Sequence, residues 1–132
     1  MLLNRLSLLE KETFVSLCLY AAEANGNVVE KEYEMIEEYC KEMGIAFFDA
    51  RNIKTYDEII EIFKESSYSN KKIVVLEILG LLYADDVYDG DEKNFISDFA
   101  KRIDVDIDII QTVDDLVKKY ISISKEIIEL VE

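Results

Sequence analysis

Apolar residues recur along this chain at three- and four-residue intervals, and glycines or polar runs interrupt them at regular stations. Phe14, Val15, Cys18, Ala21 and Ala22 follow helical spacing until Asn25-Gly26. Ser7 with Glu10 three residues later is a capping-box signal that opens this first helix. A second helix is predicted with Tyr33, Ile36, Tyr39, Cys40 and Met43 on one face, stopping at Gly44, a residue suited to a left-handed C-terminal cap. Residues 45–52 read as a short turn of helix or loop.

Thr55 with Glu58 makes another capping box and starts a short helix that turns Ile59, Ile60 and Phe63 inward before the polar run Ser66 to Asn70. The following KKIVVLEILGLLYADD is apolar nearly all round, the mark of a central buried helix; its Val pair also suits a strand, but its length does not. Asp89 with Glu92 caps a helix whose inner face is Phe95, Ile96, Phe99, Ala100 and Ile103. A last helix runs from about Ile107 to the end, with Ile110, Val113, Val117, Tyr120 and Ile127 expected inward. No segment alternates with period two for long, and there is no proline, so the expected class is all-α, a helical bundle in one domain over residues 1–132.

Composition narrows the chemistry. At 132 residues the chain can withdraw roughly two-thirds of its unfolded surface from water, enough for one real core. With no histidine, triads, general bases and metal sites built on imidazole are closed to it. The formal net charge of -14 repels phosphate backbones and argues against nucleic acid as a partner; cations, or proteins with a basic or apolar helical surface, suit it better. Cys18 and Cys40 lack CxxC spacing and fall on apolar helical faces, where a thiol behaves as a small hydrophobe. The opening MLLNRLSLLEKE carries one basic residue and no small-residue cleavage pattern, and the longest apolar run, Ile73 to Ala84, is too short for a bilayer and is broken by Glu77. These features predict no transmembrane segment and a cytoplasmic location.

Sliding the chain against itself by 60 positions aligns Val15 with Val75, Leu19 with Leu79, Ala24 with Ala84, Glu32 with Glu92, Ile36 with Ile96 and Lys41 with Lys101. Asn25 meets Asp85 and Tyr39 meets Phe99. The simplest reading is a duplicated helical hairpin, about 11–50 and 71–110, related by a pseudo-twofold axis, with extra helices added. In each copy the loop, AEANGNVVEKE and then YADDVYDGDE, resembles the two A-D-G-x-hydrophobic-x-x-x-E loops of the TerB-like (tellurite-resistance) family, and the likeness spans roughly Glu12 to Tyr120. It implies an all-helical fold, a bacterial stress-response setting, and a divalent metal held by the acidic motif residues. Carried onto this sequence, those residues are Asn25, Glu32, Asp85 and Glu92. Asn25 stands where the family has aspartate, and Asp86 where the second loop usually has glycine.

Clustered oxygen ligands suit Ca²⁺ or Mg²⁺. The stretch DDVYDGDE is not an EF-hand, because setting Gly90 at the invariant glycine puts Val87 at the third position and Ile96 where a bidentate Glu is required. Two other readings stand beside the metal. Glu92, paired with Asp89, and Glu32 are also ordinary first-turn acids that satisfy helix amides, and Asn25-Gly26 is an ordinary helix stop. The domain as a whole also suits a metal-independent interaction module in which an apolar groove docks a partner helix. Nothing in the sequence gathers two carboxylates around a pocket, so a non-enzymatic role is expected.

Overall fold

A computed structural model of the chain describes residues 1–23, 30–46, 53–83 and 90–132. Among these residues a 3-10 turn, Leu3–Arg5, precedes six α-helices: α1 Leu8–Glu23, α2 Glu30–Met43, α3 Tyr56–Lys64, α4 Tyr68–Leu82, α5 Gly90–Arg102 and α6 Ile107–Val131. There is no strand among the described residues, and the all-α class follows.

Hydrogen-bonding side chains set where the helices begin. At α1 the Glu10 amide donates to Ser7 Oγ (3.2 Å) while the Ser7 amide donates to a Glu10 carboxylate oxygen (2.8 Å). Thr55 and Glu58 make the same reciprocal pair at α3. Each such cap is worth about 1 kcal/mol. Helix α4 starts earlier than the polar run suggests. Ser67 Oγ accepts from the Asn70 amide (3.1 Å), so Tyr68–Asn70 form its first turn instead of a linker.

Left-handed residues end two of the helices. Gly44 has φ +70°, its amide donates to Lys41 O, and the Ile45 amide donates to Cys40 O. Sixty positions on, Asp104 has φ +65°, its amide donates to Lys101 O, and the Val105 amide donates to Ala100 O. Both are six-to-one closures of the kind that satisfies the last carbonyls of a helix. Aspartate can hold this conformation because its short polar side chain lowers the penalty that other residues meet there.

Helix α4 is the centre. Ile73, Val74, Val75, Ile78, Leu79, Leu81 and Leu82 are all buried, and α4 packs against α1, α2, α5, α6 and the 3-10 turn. Helix α1 is nearly as enclosed, with Phe14, Val15, Leu17, Cys18, Leu19, Ala21 and Ala22 in the core, against α2, α3 and α4. Ile36 and Ile96 are both fully buried. Cys18 and Cys40 lie in the same core, and burial pushes both thiols up, that of Cys18 strongly, which makes them poor nucleophiles.

Three residues expected inside are not. Tyr33 is exposed, and on α6 Tyr120 and Ile127 are 58% and 56% exposed, while Val113 and Val117 on the same helix are buried. Length explains the difference. The 25 residues of α6 run about 37 Å at 1.5 Å per residue, whereas α4 spans about 22 Å and α5 about 20 Å. The C-terminal part of α6 therefore outruns the helices it packs on.

Candidate functional site

Where α6 leaves the body, an apolar groove of about 600 Å³ opens between α2, α4 and α6. Met35 and Tyr39 of α2 form one wall, Leu76 and Gly80 of α4 the floor, and Leu116, Val117, Tyr120 and Ile121 of α6 the other wall. The sequence brings these together from three separate helices. The Tyr39 hydroxyl donates to the Glu77 carbonyl (3.2 Å), and burial pushes its phenol well above the usual range; it stays neutral and acts as an apolar wall with a satisfied tip. Gly80 keeps the floor low, since a Cβ there would meet Tyr39 Oη at 3.5 Å, ordinary contact distance.

Two polar tethers set the width of the groove. The Tyr83 hydroxyl donates to Asp114 Oδ1 (2.6 Å), fastening the end of α4 to α6, and Lys118 Nζ one turn along α6 pairs with Asp114 Oδ2 at 2.9 Å. At the opposite edge the buried Glu77 accepts from the Leu2 amide (3.0 Å) and faces the Met1 ammonium at 3.2 Å. That ammonium also pairs with Glu42, whose second oxygen accepts from the Leu3 amide. The break that Glu77 makes in the apolar run is therefore an anchor for the segment before α1. From the groove the apolar surface continues along α6 through Ile123, Ile127, Ile128, Leu130 and Val131, all more than half exposed.

The four proposed metal-motif residues divide by position. Glu32 and Glu92 are in the first turns of α2 and α5 and are 7% and 2% exposed. Asn25 and Asp85 lie outside the described residues, as do Ala24, Asp86 and the proposed cap Asp89. Among the described residues no group of three or more acidic or thiol side chains is gathered closely enough to enclose an ion. Charged residues this well hidden are uncommon, and these two occupy corresponding places in the 60-residue offset.

A third polar centre was not singled out from the sequence. The buried Glu10 carboxylate accepts from the Ser66 hydroxyl, from Asn70 Nδ2 (3.1 Å) and from its own capping partner Ser7. Desolvation alone would raise its pKa, but the hydrogen bonds from Ser66, Ser7 and Asn70 outweigh it and hold the carboxyl below its usual value. The sequence did carry a signal, because Ser7 and Glu10 correspond at the 60-residue offset to Ser67 and Asn70.

The exposed Tyr20 and Tyr68 have partners of their own. Tyr20 stacks on Tyr56 at 4.6 Å and 11°, and Tyr56 in turn donates to Asp98 (3.0 Å). Tyr68 sits under Lys72 and reaches Asp106 at 3.3 Å. Tyr88 lies outside the described residues. The continuous apolar surface is the mainly aliphatic one of α6. No helix among the described residues is long and apolar enough to cross a membrane. A scan of family models matched none to this chain, and searches of curated proteins and of solved structures returned no match either.

Proposed function

We propose that this chain is a non-catalytic helical docking module whose working surface is the groove between α2, α4 and α6 together with the apolar strip of α6. The observation that carries this reading is the continuity of the two. A groove of about 600 Å³ leads directly into seven exposed apolar side chains on one helix, Leu116, Tyr120, Ile123, Ile127, Ile128, Leu130 and Val131. Apolar patches of several hundred Å² on a folded surface mark interaction sites, and helix-in-groove docking matches this shape. The partner is a protein that presents an apolar helical face. Surrounding acidity favours lysine or arginine at the edges of that face.

A synthetic 20-residue amphipathic helix with a leucine seam and lysine flanks tests the reading. On titration into the ¹⁵N-labelled protein it should shift the amides around Tyr39, Gly80, Tyr83 and Tyr120 together. The same helix with its leucines replaced by serine should not. Equal responses to the two peptides, or none, would remove the groove as a docking surface.

A second reading is favoured by a different observation, the burial of Glu32 and Glu92 at corresponding first turns. Here the chain is a TerB-like domain of a bacterial stress-response (tellurite-resistance-like) setting, and Glu32 and Glu92, with Asn25 and Asp85, hold Ca²⁺ or Mg²⁺. Such an ion would add positive charge beside two buried carboxylates. Titration with either ion to millimolar levels should shift the resonances of residues 24–32 and 84–92 together and raise the melting temperature by mass action. Glu92→Gln, which keeps the side chain's shape, should abolish both responses. Diffuse shifts over the whole acidic surface would leave these acids as helix caps.

A further inference from the structure

The apolar strip of α6 has a strict spacing. Ile109, Val113, Leu116, Tyr120, Ile123, Ile127 and Leu130 follow one another at intervals of four and three, the heptad alternation of a coiled-coil seam. The body covers the first two, Ile109 partly and Val113 fully. From there on the seam is open, with Leu116 53%, Ile123 54% and Leu130 83% exposed. Leu116 and Tyr120 belong both to the seam and to the wall of the groove, so a helix laid on the seam also closes the groove mouth.

We propose that the occupant is α6 of a second copy of this chain, laid antiparallel along the first; the proposal rests on the docking reading given above. Area supports it. The six exposed apolar side chains on or beside the seam, Leu116, Tyr120, Ile123, Ile127, Leu130 and Val131, at roughly 100 Å² each, bring about 600 Å² per copy, the lower end of the roughly 600–1,000 Å² per partner of a stable specific interface.

Charge permits the pairing and selects its direction. The chain as a whole carries -14, but α6 holds three lysines, Lys118, Lys119 and Lys125, against five acids, Asp108, Asp114, Asp115, Glu126 and Glu129, a local balance of -2. Two copies meeting along α6 therefore bring together little of the chain's net charge. With Tyr120 and Ile127 at the first core position of the heptad, the flanks are the charged Lys119 and Glu126 on one side, and the uncharged Val117, Ser124 and Val131 on the other. An antiparallel pair sets like flanks together, so Lys119 meets Glu126 of the second copy and Glu126 meets its Lys119, two complementary contacts. A parallel pair would set Lys119 on Ser124 and Glu126 on Val131, which have nothing to offer a charge. The antiparallel layers place Tyr120 on Ile123 and Leu116 on Ile127, large against branched, and no tyrosine faces itself.

Sedimentation equilibrium of the full chain in 150 mM salt, where charges beyond about 8 Å are screened, measures the association directly. Between 5 and 200 µM the mass should rise from 15.3 kDa toward twice that value. Ile123→Glu changes an exposed position, so its circular dichroism spectrum should be that of the parent, while its dissociation constant rises by roughly tenfold or more. Lys119→Glu should weaken the dimer by about fivefold, and adding Glu126→Lys to it should restore the parent value within about twofold, because the swapped pair meets itself again in the antiparallel register. A monomer at 200 µM overturns the proposal, as does a dimer indifferent to Ile123→Glu or a double variant no better than the single one. A monomer that still binds the leucine-seam peptide refutes the second copy as occupant and leaves the docking surface in place. A monomer that binds no helix refutes both.

Discussion

Gly80 offers a substitution that separates stability from binding. It lies inside α4, where glycine costs about 0.5–1 kcal/mol relative to alanine through the backbone freedom it must lose. A Cβ at that position would approach Tyr39 Oη at 3.5 Å and nothing closer, so alanine enters without displacing a neighbour. The position is two residues from the end of the helix, where fraying weakens propensity effects, and the lower half of the range applies. Gly80→Ala should therefore stabilise the fold by about 0.5 kcal/mol, a rise in melting temperature of about 2–3 °C for a chain of this size. Gly80→Leu carries the same gain in propensity but drives three more carbons into the groove floor. Its affinity for the leucine-seam peptide should fall by about tenfold while its urea midpoint stays at or above that of the parent. Far-ultraviolet circular dichroism in urea reads the first quantity, and amide shifts on peptide titration read the second. A Gly80→Ala protein less stable than the parent by 1 kcal/mol or more would mean that the floor has no room. A stable Gly80→Leu protein with undiminished peptide binding would mean that the groove is not where helices dock.

Other outcomes follow from the polar structure. Glu10→Gln should cost about 1–2 kcal/mol at neutral pH, because the charged acceptor of three neighbours becomes a neutral one. The folded-state pKa of Glu10 is depressed, so its contribution is present above the usual carboxylate value of 4.5 and is lost as pH falls through that value toward the folded one; urea midpoints of the two proteins should converge below it. Gly44→Ala should destabilise by about 1 kcal/mol on backbone grounds alone, since φ is +70° and a Cβ would meet nothing within 4 Å. Asp104→Gly should be neutral or stabilising by up to about 1 kcal/mol, the sign that tells a left-handed cap from an ordinary turn.

Local rules read well from this sequence, and the readings that depended on distant segments did not. The capping boxes at Ser7 and Thr55, the stop at Gly44 and the all-round burial of α4 each follow from residues within one or two helical turns. Asp104 was missed as a cap because aspartate is an infrequent left-handed residue, although its place sixty positions from Gly44 marked it. Ser67 was hidden in a polar run that reads as linker. Tyr120 and Ile127 repeat with the period of a buried face, but periodicity reports only that a stripe is apolar. What covers the stripe depends on the lengths of α4 and α5, which lie elsewhere in the chain. The groove was invisible for the same reason, since its walls come from positions around 35–39, 76–83 and 116–128. Of the four motif residues, Glu32 and Glu92 fall among the described residues, where both are buried, and Asn25 and Asp85 lie outside them.

The contact between Glu10 and Asn70 has a meaning beyond its hydrogen bonds. The two residues are sixty positions apart, the same offset that relates Gly44 to Asp104, so the contact joins a position to its own counterpart. On the duplicated-hairpin reading of that offset, a residue placed like this would sit on the axis exchanging one half of the chain with the other. In an assembly of two identical half-length chains it could meet only itself, and two glutamates at this distance, sheltered from water, could not both remain charged. Holding both halves on one polypeptide removes that constraint. One counterpart is then free to become an anion and the other its donor, an asymmetry that a symmetric pair of fragments could not encode. An isolated first half, carrying Glu10 without Asn70, should therefore pair with itself only at a pH low enough to protonate the acid.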